Sequence, residues 1–264
     1  MTFLNYEQHG NIVTLTMNRP ETRNALSGQE PINDFVDACA RIGADPGVRV
    51  VILTGAGPAF SAGGDVKSMR RANIEGQPDP AVIRRSFIDG IQRIPRALYN
   101  LEVPVIAAIN GPAIGAGLDL ACMCDLRIGS RDATFAESFI RLGLVAGDGG
   151  AWLLPRLIGR AAASRLAFTG ETIDAAKALE LGVLDCVVEP AALLESALTL
   201  AGQIAANPGP ALRLTKRLLR ESDTASFDQV LNSSAALQAI ALHEPAHREA
   251  LEAMLEKRSP NFGN

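Results

Sequence analysis

Two stretches of the chain, VRVVILT at Val48–Thr54 and VPVIAAI at Val103–Ile109, are near-continuous aliphatic runs that each break into a glycine-rich turn. The first turn reads GAGPAFSAGGD and the second NGPAIGAGLD. Runs this apolar, without polar alternation, read as strands buried on both faces, the pattern of a parallel sheet covered by helices. A long helical stretch is expected between them at Ala81–Tyr99. Both strands therefore deliver a glycine-rich turn to the mouth of a sheet, where backbone can approach a ligand closely.

The rest of the chain fits the same architecture. Asn11–Met17 alternates and is β-branched, which predicts a strand, and a turn-rich loop then opens a helix over Pro31–Ala40. The polar segment Arg71–Pro80, with two prolines and a glycine, predicts a surface loop. A strand is expected at Leu126–Gly129, and helices at Gly150–Ile158, Ala161–Phe168, Ile173–Leu181, Pro190–Ala206 and Pro210–Arg220, with a short strand at Val183–Val188. Helices at Ser226–Ala241 and Pro245–Lys257 close the chain. Strands and helices first and helices last give an α/β class, and no linker divides the chain. A single domain over 1–264 is expected, with an α/β core over about 1–200 and a helical region over about 201–264.

Composition excludes several classes of partner. With 25 Lys plus Arg against 29 Asp plus Glu, the net charge of −4 provides no field for a polyanion, so nucleic acid is not an expected partner. The most apolar uncharged stretch, Val103–Leu118, is interrupted by Pro104, Asn110, Pro112 and glycines and falls short of the roughly 20 residues of a spanning helix, so no membrane partner is expected. The first 18 residues carry no secretory pattern, so the mature chain is expected to begin near Met1. Cys39, Cys122, Cys124 and Cys186 form no C-x-x-C, which fits reduced thiols and a cytoplasmic location.

Paired N–H donors from the two turns suit a developing oxyanion, at about 3 to 4 kcal/mol each, although on spacing alone the same glycines read first as tight turns. The segments NRPETRNALS, PAFSAGGDVKSM, VPVIAAINGPAIGAGLDLACMCDLRI and LGLVAGDGGAWLLPRLIGRAAASRLAFTG, in this order, resemble the crotonase, or enoyl-CoA hydratase/isomerase, superfamily. The later TGETIDAAKALELGVLDCVV and NPGPALRLTKRLL are also similar to it, so the resemblance spans nearly the whole chain. It implies a crotonase-like fold of stacked ββα units and chemistry on an acyl-CoA thioester, with coenzyme A part of the substrate and no metal or redox cofactor. It also implies a homotrimer, commonly paired into a hexamer, with the C-terminal helices making contacts between subunits.

By this resemblance, the N–H groups of Ala62 and Ala116 form the oxyanion hole, with alanine at the second position where glycine is usual. Arg23, Asn24, Ala25 and Leu26, with Gly63, Gly64 and Asp65, match segments that line coenzyme A, and Arg23 and Lys67 are candidates for its phosphates or plain solvated cations. The acyl pocket is expected from the loop Arg70–Pro80 and from Phe87, Phe139 and Trp152, residues that serve equally in a core.

The acids depart from the hydratase pattern, in which two glutamates grip one water. Asp119 stands at the first position, one methylene shorter, and Phe139, which moves no proton, stands at the second. Three acids remain. Asp119 has the strongest case, on a buried helix behind the oxyanion turn, with a structural Asp as the alternative. Asp148 resembles a catalytic aspartate of isomerase and dienoyl-type relatives, displaced by one position, or else caps the helix through Trp152. Glu137, two before Phe139, would point the same way on a strand, or else lies on the surface. One carboxylate suffices to carry a proton between carbons, so isomerisation is favoured mildly over hydration, and Asp119→Asn is the expected loss-of-turnover change.

Two other readings remain. His243, Glu244 and His247 spell HEPAH, a formal H-E-x-x-H zinc string, but Pro245 inside it opposes a continuous helix. A crotonase homologue that binds acyl-CoA without turnover is the other. Ser61 has no nucleophile-elbow context and no nearby histidine in sequence, which removes a hydrolase reading.

Overall fold

The computed structural model describes residues 2–76 and 78–263. Met1 and, within the loop expected at 71–80, Gln77 lie outside the described residues.

The two aliphatic runs form β3 (Val50–Gly55) and β4 (Val105–Ile109), parallel neighbours paired from Val51↔Val105 to Thr54↔Ala108. They sit in the middle of a six-stranded sheet whose order is β1 (Leu4–His9), β2 (Ile12–Met17), β3, β4, β6 (Leu126–Ser130) and β9 (Cys186–Val188). Only the β1–β2 pair is antiparallel. β1 is a strand that the periodicity did not predict. Its LNYEQH sequence is polar because it is an edge strand, mostly exposed beyond Leu4.

Side chains alternate across the sheet as the period of two requires. Leu15, Val51, Leu53, Val105 and Ala107 face α1 (Gln29–Ala44) and further helices, while Val50, Ile52, Ile106, Ala108 and Ile128 pack with Leu193, Ala197 and Ala201. The long stretch expected as one helix over Ala81–Tyr99 is two after a short α2 (Val66–Met69): α3 (Pro80–Asp89) and α4 (Arg93–Asn100). Gly90 separates them, where a Cβ would lie 2.2 Å from the Ser86 carbonyl oxygen. The segment expected as a loop contains a wide helical turn over Arg70–Glu75.

After β4 the chain forms β5 (Ala113–Ile114) and α5 (Ala116–Cys122). β5 joins a second sheet in the order β5, β7 (Thr134–Ala136), β8 (Thr172–Asp174). These strands of two or three residues are too short to show a period, and none was expected. The two helices expected before residue 169 are one run, α6 (Gly150–Thr169), broken at the left-handed Gly159. α7 (Ala175–Leu181) and α8 (Leu193–Ala205) follow, and α8 is the helix that covers the second face of the sheet. α9 (Gly209–Ser222) is fastened to the core where Lys216 Nζ donates to Asp125 Oδ2 at 2.6 Å and to the Val103 carbonyl at 2.9 Å. α10 (Phe227–His243) has no buried residue, and α11 (Pro245–Glu256) ends the helical region. No helix among the described residues is long and apolar enough to cross a membrane.

Candidate active site

Because β3 and β4 are parallel neighbours, their carboxyl ends bring the two glycine-rich turns side by side, the position where open α/β sheets receive ligands. Backbone bonds stitch them together: Ser61 N donates to the Pro112 carbonyl at 3.1 Å and Ile114 N to the Ser61 carbonyl at 3.0 Å. Asn110 adds a side-chain clasp, accepting from Gly55 N at 3.3 Å and donating to the Gly57 carbonyl at 2.9 Å. Gly63 adopts a φ of 76°, and a Cβ there would come within 2.4 Å of the Ile114 carbonyl oxygen and 3.0 Å of Ala116 N. The two turns meet only because this residue carries no side chain.

The first oxyanion donor differs from the sequence reading. Ala62 N–H donates to the Arg23 carbonyl at 2.8 Å, so it is spent on holding the loop. The neighbouring Gly64 N–H and the Ala116 N–H at the start of α5 find no acceptor among the described residues, and Gly64 and Ala116 line the same cleft. Asn24 also departs from its expected role against coenzyme A. It is fully buried, with a left-handed φ of 56°, and its amide donates to the Ala56 and Ala59 carbonyls at 3.0 and 2.9 Å. Ser61 Oγ donates to the Asn24 carbonyl at 2.8 Å and accepts from Gly63 N at 3.1 Å, so a chain of bonds leads from Asn24 to the glycine turn. Asp65 is likewise committed, capping α2 by accepting from Lys67 N at 3.0 Å and Ser68 Oγ at 2.6 Å. Arg23 and Lys67 are exposed, whereas Ala25 is buried.

The cleft encloses about 990 Å³ and runs from Leu26 and Met69 past Gly64 and Ala116 to Phe87, Phe139, Val145 and Asp148. Phe87 and Phe139 thus line this cleft. Trp152 does not. It lines a separate apolar hollow of about 290 Å³ with Pro95, Tyr99, Met123 and Leu153, packed edge-on against Tyr99 at 5.5 Å and carrying Arg156 over its face at 3.8 Å. Among the residues whose side chains are described, none between 70 and 80 lines the cleft.

The three candidate acids converge from three elements, Asp119 on α5, Glu137 directly after β7 and Asp148 ahead of α6. All are buried, with relative exposures of 0%, 2% and 7%. Glu137 is therefore no surface residue, and it shares no strand with Phe139, which lies in the 3-10 turn Ser138–Leu142. Asp148 does not cap α6, whose N-cap is Gly149 without a side-chain bond. Of the three, only Asp148 lines the cleft; Asp119 lies behind its wall. Gly150 packs so tightly on Asp119 that a Cβ there would sit 1.9 Å from Oδ1.

Burial dominates the proton affinities. Asp148 is pushed up to about 6 by loss of hydration, and Glu137 to about 7 by the same cause, opposed by its hydrogen bond with Asp119 and reinforced by the charge of Asp148. Asp119 is raised well above the carboxylate range by burial first, then by the charges of Glu137 and Asp148. Asp148 is accordingly the first of the three to ionise as pH rises.

The HEPAH string is split by the fold. His243 ends α10, Glu244 is extended at φ −67° and ψ 137°, and Pro245 begins α11. Among the described residues no cluster of three or more His, Cys, Asp or Glu is placed to hold a metal. The sequence reading missed Gly64 as donor, Asn110 as clasp and Met69, whose Cε lies 2.0 Å from where a Gly64 Cβ would be. Only Gly64 was signalled beforehand, by its place in the glycine run.

A family profile described as enoyl-CoA hydratase/isomerase matches residues 7–264. The chain is 34% identical over 257 residues to a crotonyl-CoA hydratase of Syntrophomonas wolfei, covering 97% of this chain and 96% of that protein. It is 35% identical over 262 residues to a 1,2-epoxyphenylacetyl-CoA isomerase of Escherichia coli, covering 99% and 98%. Among solved structures it resembles an enoyl-CoA hydratase of Mycobacterium smegmatis with a TM-score of 0.91 at 33% identity over 99% of both chains.

Proposed function

The chain belongs to the enoyl-CoA hydratase/isomerase family and has its crotonase fold, and from that premise we propose that it moves the double bond of an enoyl-CoA thioester through an enolate, with Asp148 as proton carrier. One observation carries the reading: two unpartnered N–H groups, Gly64 and Ala116, line one cleft with one carboxyl, Asp148.

The steps follow from that arrangement. A thioester carbonyl oxygen seated between Gly64 N–H and Ala116 N–H stabilises the negative charge that forms when a neighbouring C–H bond breaks. For a 3-enoyl thioester, Asp148 takes the C2 proton and the bond electrons delocalise as a dienolate onto that oxygen. Asp148 then returns the proton at C4, the oxygen charge falls back, and a C2–C3 double bond results. The cycle balances in protons and electrons and calls for no cofactor beyond the coenzyme A of the substrate. Arg23 and Lys67, exposed beside the first turn, meet the coenzyme phosphates, and Leu26 and Phe87 border the path of the chain.

The test is mass spectrometry of 2-enoyl- and 3-enoyl-CoA thioesters incubated with the enzyme in deuterated water. Double-bond migration with deuterium at the carbons that exchange protons is expected. Gain of one heavy water would instead establish hydration, a reading favoured by the second buried carboxyl at Glu137 and by relatives named hydratases. Binding without any change across the panel would mark a non-catalytic acyl-CoA binder.

The trimer or hexamer belongs to the same reading. α10 has no buried residue, and Phe227, Leu231, Ile240, Met254 and Leu255 on α10 and α11 are all more than half exposed. Apolar faces of this kind are covered by association. Native mass spectrometry is expected to find three or six copies of the 27.9 kDa chain, and a monomer at micromolar concentration would rule this out. Four free cysteines support a reducing, cytoplasmic setting.

A further inference from the structure

Among the described residues, four carboxylate oxygens in the acid trio, Asp119 Oδ1 and Oδ2, Glu137 Oε2 and Asp148 Oδ1, are buried with no donor within 3.5 Å in hydrogen-bonding geometry. Leaving a buried charged oxygen unpaired costs more than any contact here returns, and two ionised carboxylates offer each other no donor at all. Asp119 and Glu137 nonetheless face each other closely enough to hydrogen-bond once either carries a proton. A single proton pairs one oxygen of each.

We propose that Asp119 works as a neutral carboxylic acid whose O–H donates to Glu137, so that the pair shares one proton and leaves Asp148 as the ionised member facing the cleft. Glu137 and Asp119 are then positioning residues, and the base is the carboxyl their bond holds in place. The proposal rests on the reading of Asp148 as proton carrier.

The nearest competing donor to Asp119 is the Gly150 N–H at the start of α6, which favours the ionised form but is outweighed by burial. On α5 the nearest titratable group is Cys122, fully buried and held as a thiol by that burial. Arg127 on β6 is spent on the Val183 and Cys124 carbonyls at 2.7 Å each. On β8, Asp174 opposes Thr134 at the far end of β7 and caps α7. Beyond Glu137, Arg141 lies against Gly170. Burial and the charge of Asp148 both favour a retained proton, most strongly on Asp119.

Infrared difference spectroscopy tests the proton without needing turnover. At about pH 8, above the value of about 7 to which Glu137 is pushed, the protein is expected to show one buried carboxylic-acid carbonyl band. Asp119→Asn should abolish that band, Glu137→Gln should shift it by changing its acceptor, and Asp148→Asn should leave it in place. Activity gives the second arm. Asparagine at 119 still donates to Glu137, so D119N is expected to keep kcat within about tenfold of the parent, whereas Asp119→Ala, which lacks a donor, should fall further. Absence of the band in the parent, its survival in D119N, or a D119N enzyme as inactive as D148N would each overturn the proposal. A band that behaves as expected in an enzyme that does not isomerise would leave the proton assignment standing and refute only the reaction.

Discussion

Asp148→Asn is expected to lower kcat for double-bond migration by about 10²–10⁴-fold while leaving acyl-CoA binding nearly unchanged. The amide keeps the shape of the side chain and removes its proton chemistry, and Asp148 is the only one of the three acids that lines the cleft. The effect has a pH signature with a definite sign. The base form is the carboxylate, so parental activity should decline as pH falls through about 6, the value to which burial raises Asp148. Stability runs the other way. Because the folded protein holds these carboxyl protons more tightly than the unfolded chain, this contribution is complete at low pH and is lost as pH rises through about 6 to 7, and D148N should escape part of that loss. Single-turnover kinetics over that range, with equilibrium binding as control, decide it: an active D148N with a lifeless D119N would return the base to α5.

The second large effect belongs to the oxyanion pair. Ala116→Pro removes one N–H and is expected to cost about 10²–10³-fold in kcat, whereas Ala116→Gly keeps the donor and should remain near the parent. Ala116 is the first residue of α5, a place where proline's fixed φ is compatible with the helix and where no intrahelical bond uses the N–H. Loss of activity therefore reports the donor, provided circular dichroism shows the fold intact. Equal activity of both variants would mean that the carbonyl is held elsewhere.

What could be read from the residues was what long periodic signals carry. The paired aliphatic runs located β3 and β4, and their glycine-rich ends led to the candidate cleft, because buried parallel strands admit few other sequences. The edge strand β1 and the strands of the second sheet escaped because a short or half-exposed strand leaves no period. The acids were all named, but their ranking was not legible. Whether a carboxyl faces a cleft or stands behind its wall depends on contacts such as Gly150 against Asp119, which sequence spacing does not encode. The Ala62 donor failed for a related reason, since its N–H is consumed by the Arg23 carbonyl from a different segment of chain.

The donor pair and the acid trio share α5, which carries both Ala116 and Asp119, but the side-chain bonds that fix the donors are distinct from the acids. Asn24, Ser61 and Asn110 lock the donor pair through bonds that never touch Asp119, Glu137 or Asp148. An acid side chain can thus be changed without removing the bonds that hold the donor pair. Proton chemistry can therefore be altered by side-chain substitution while the backbone donors keep their places.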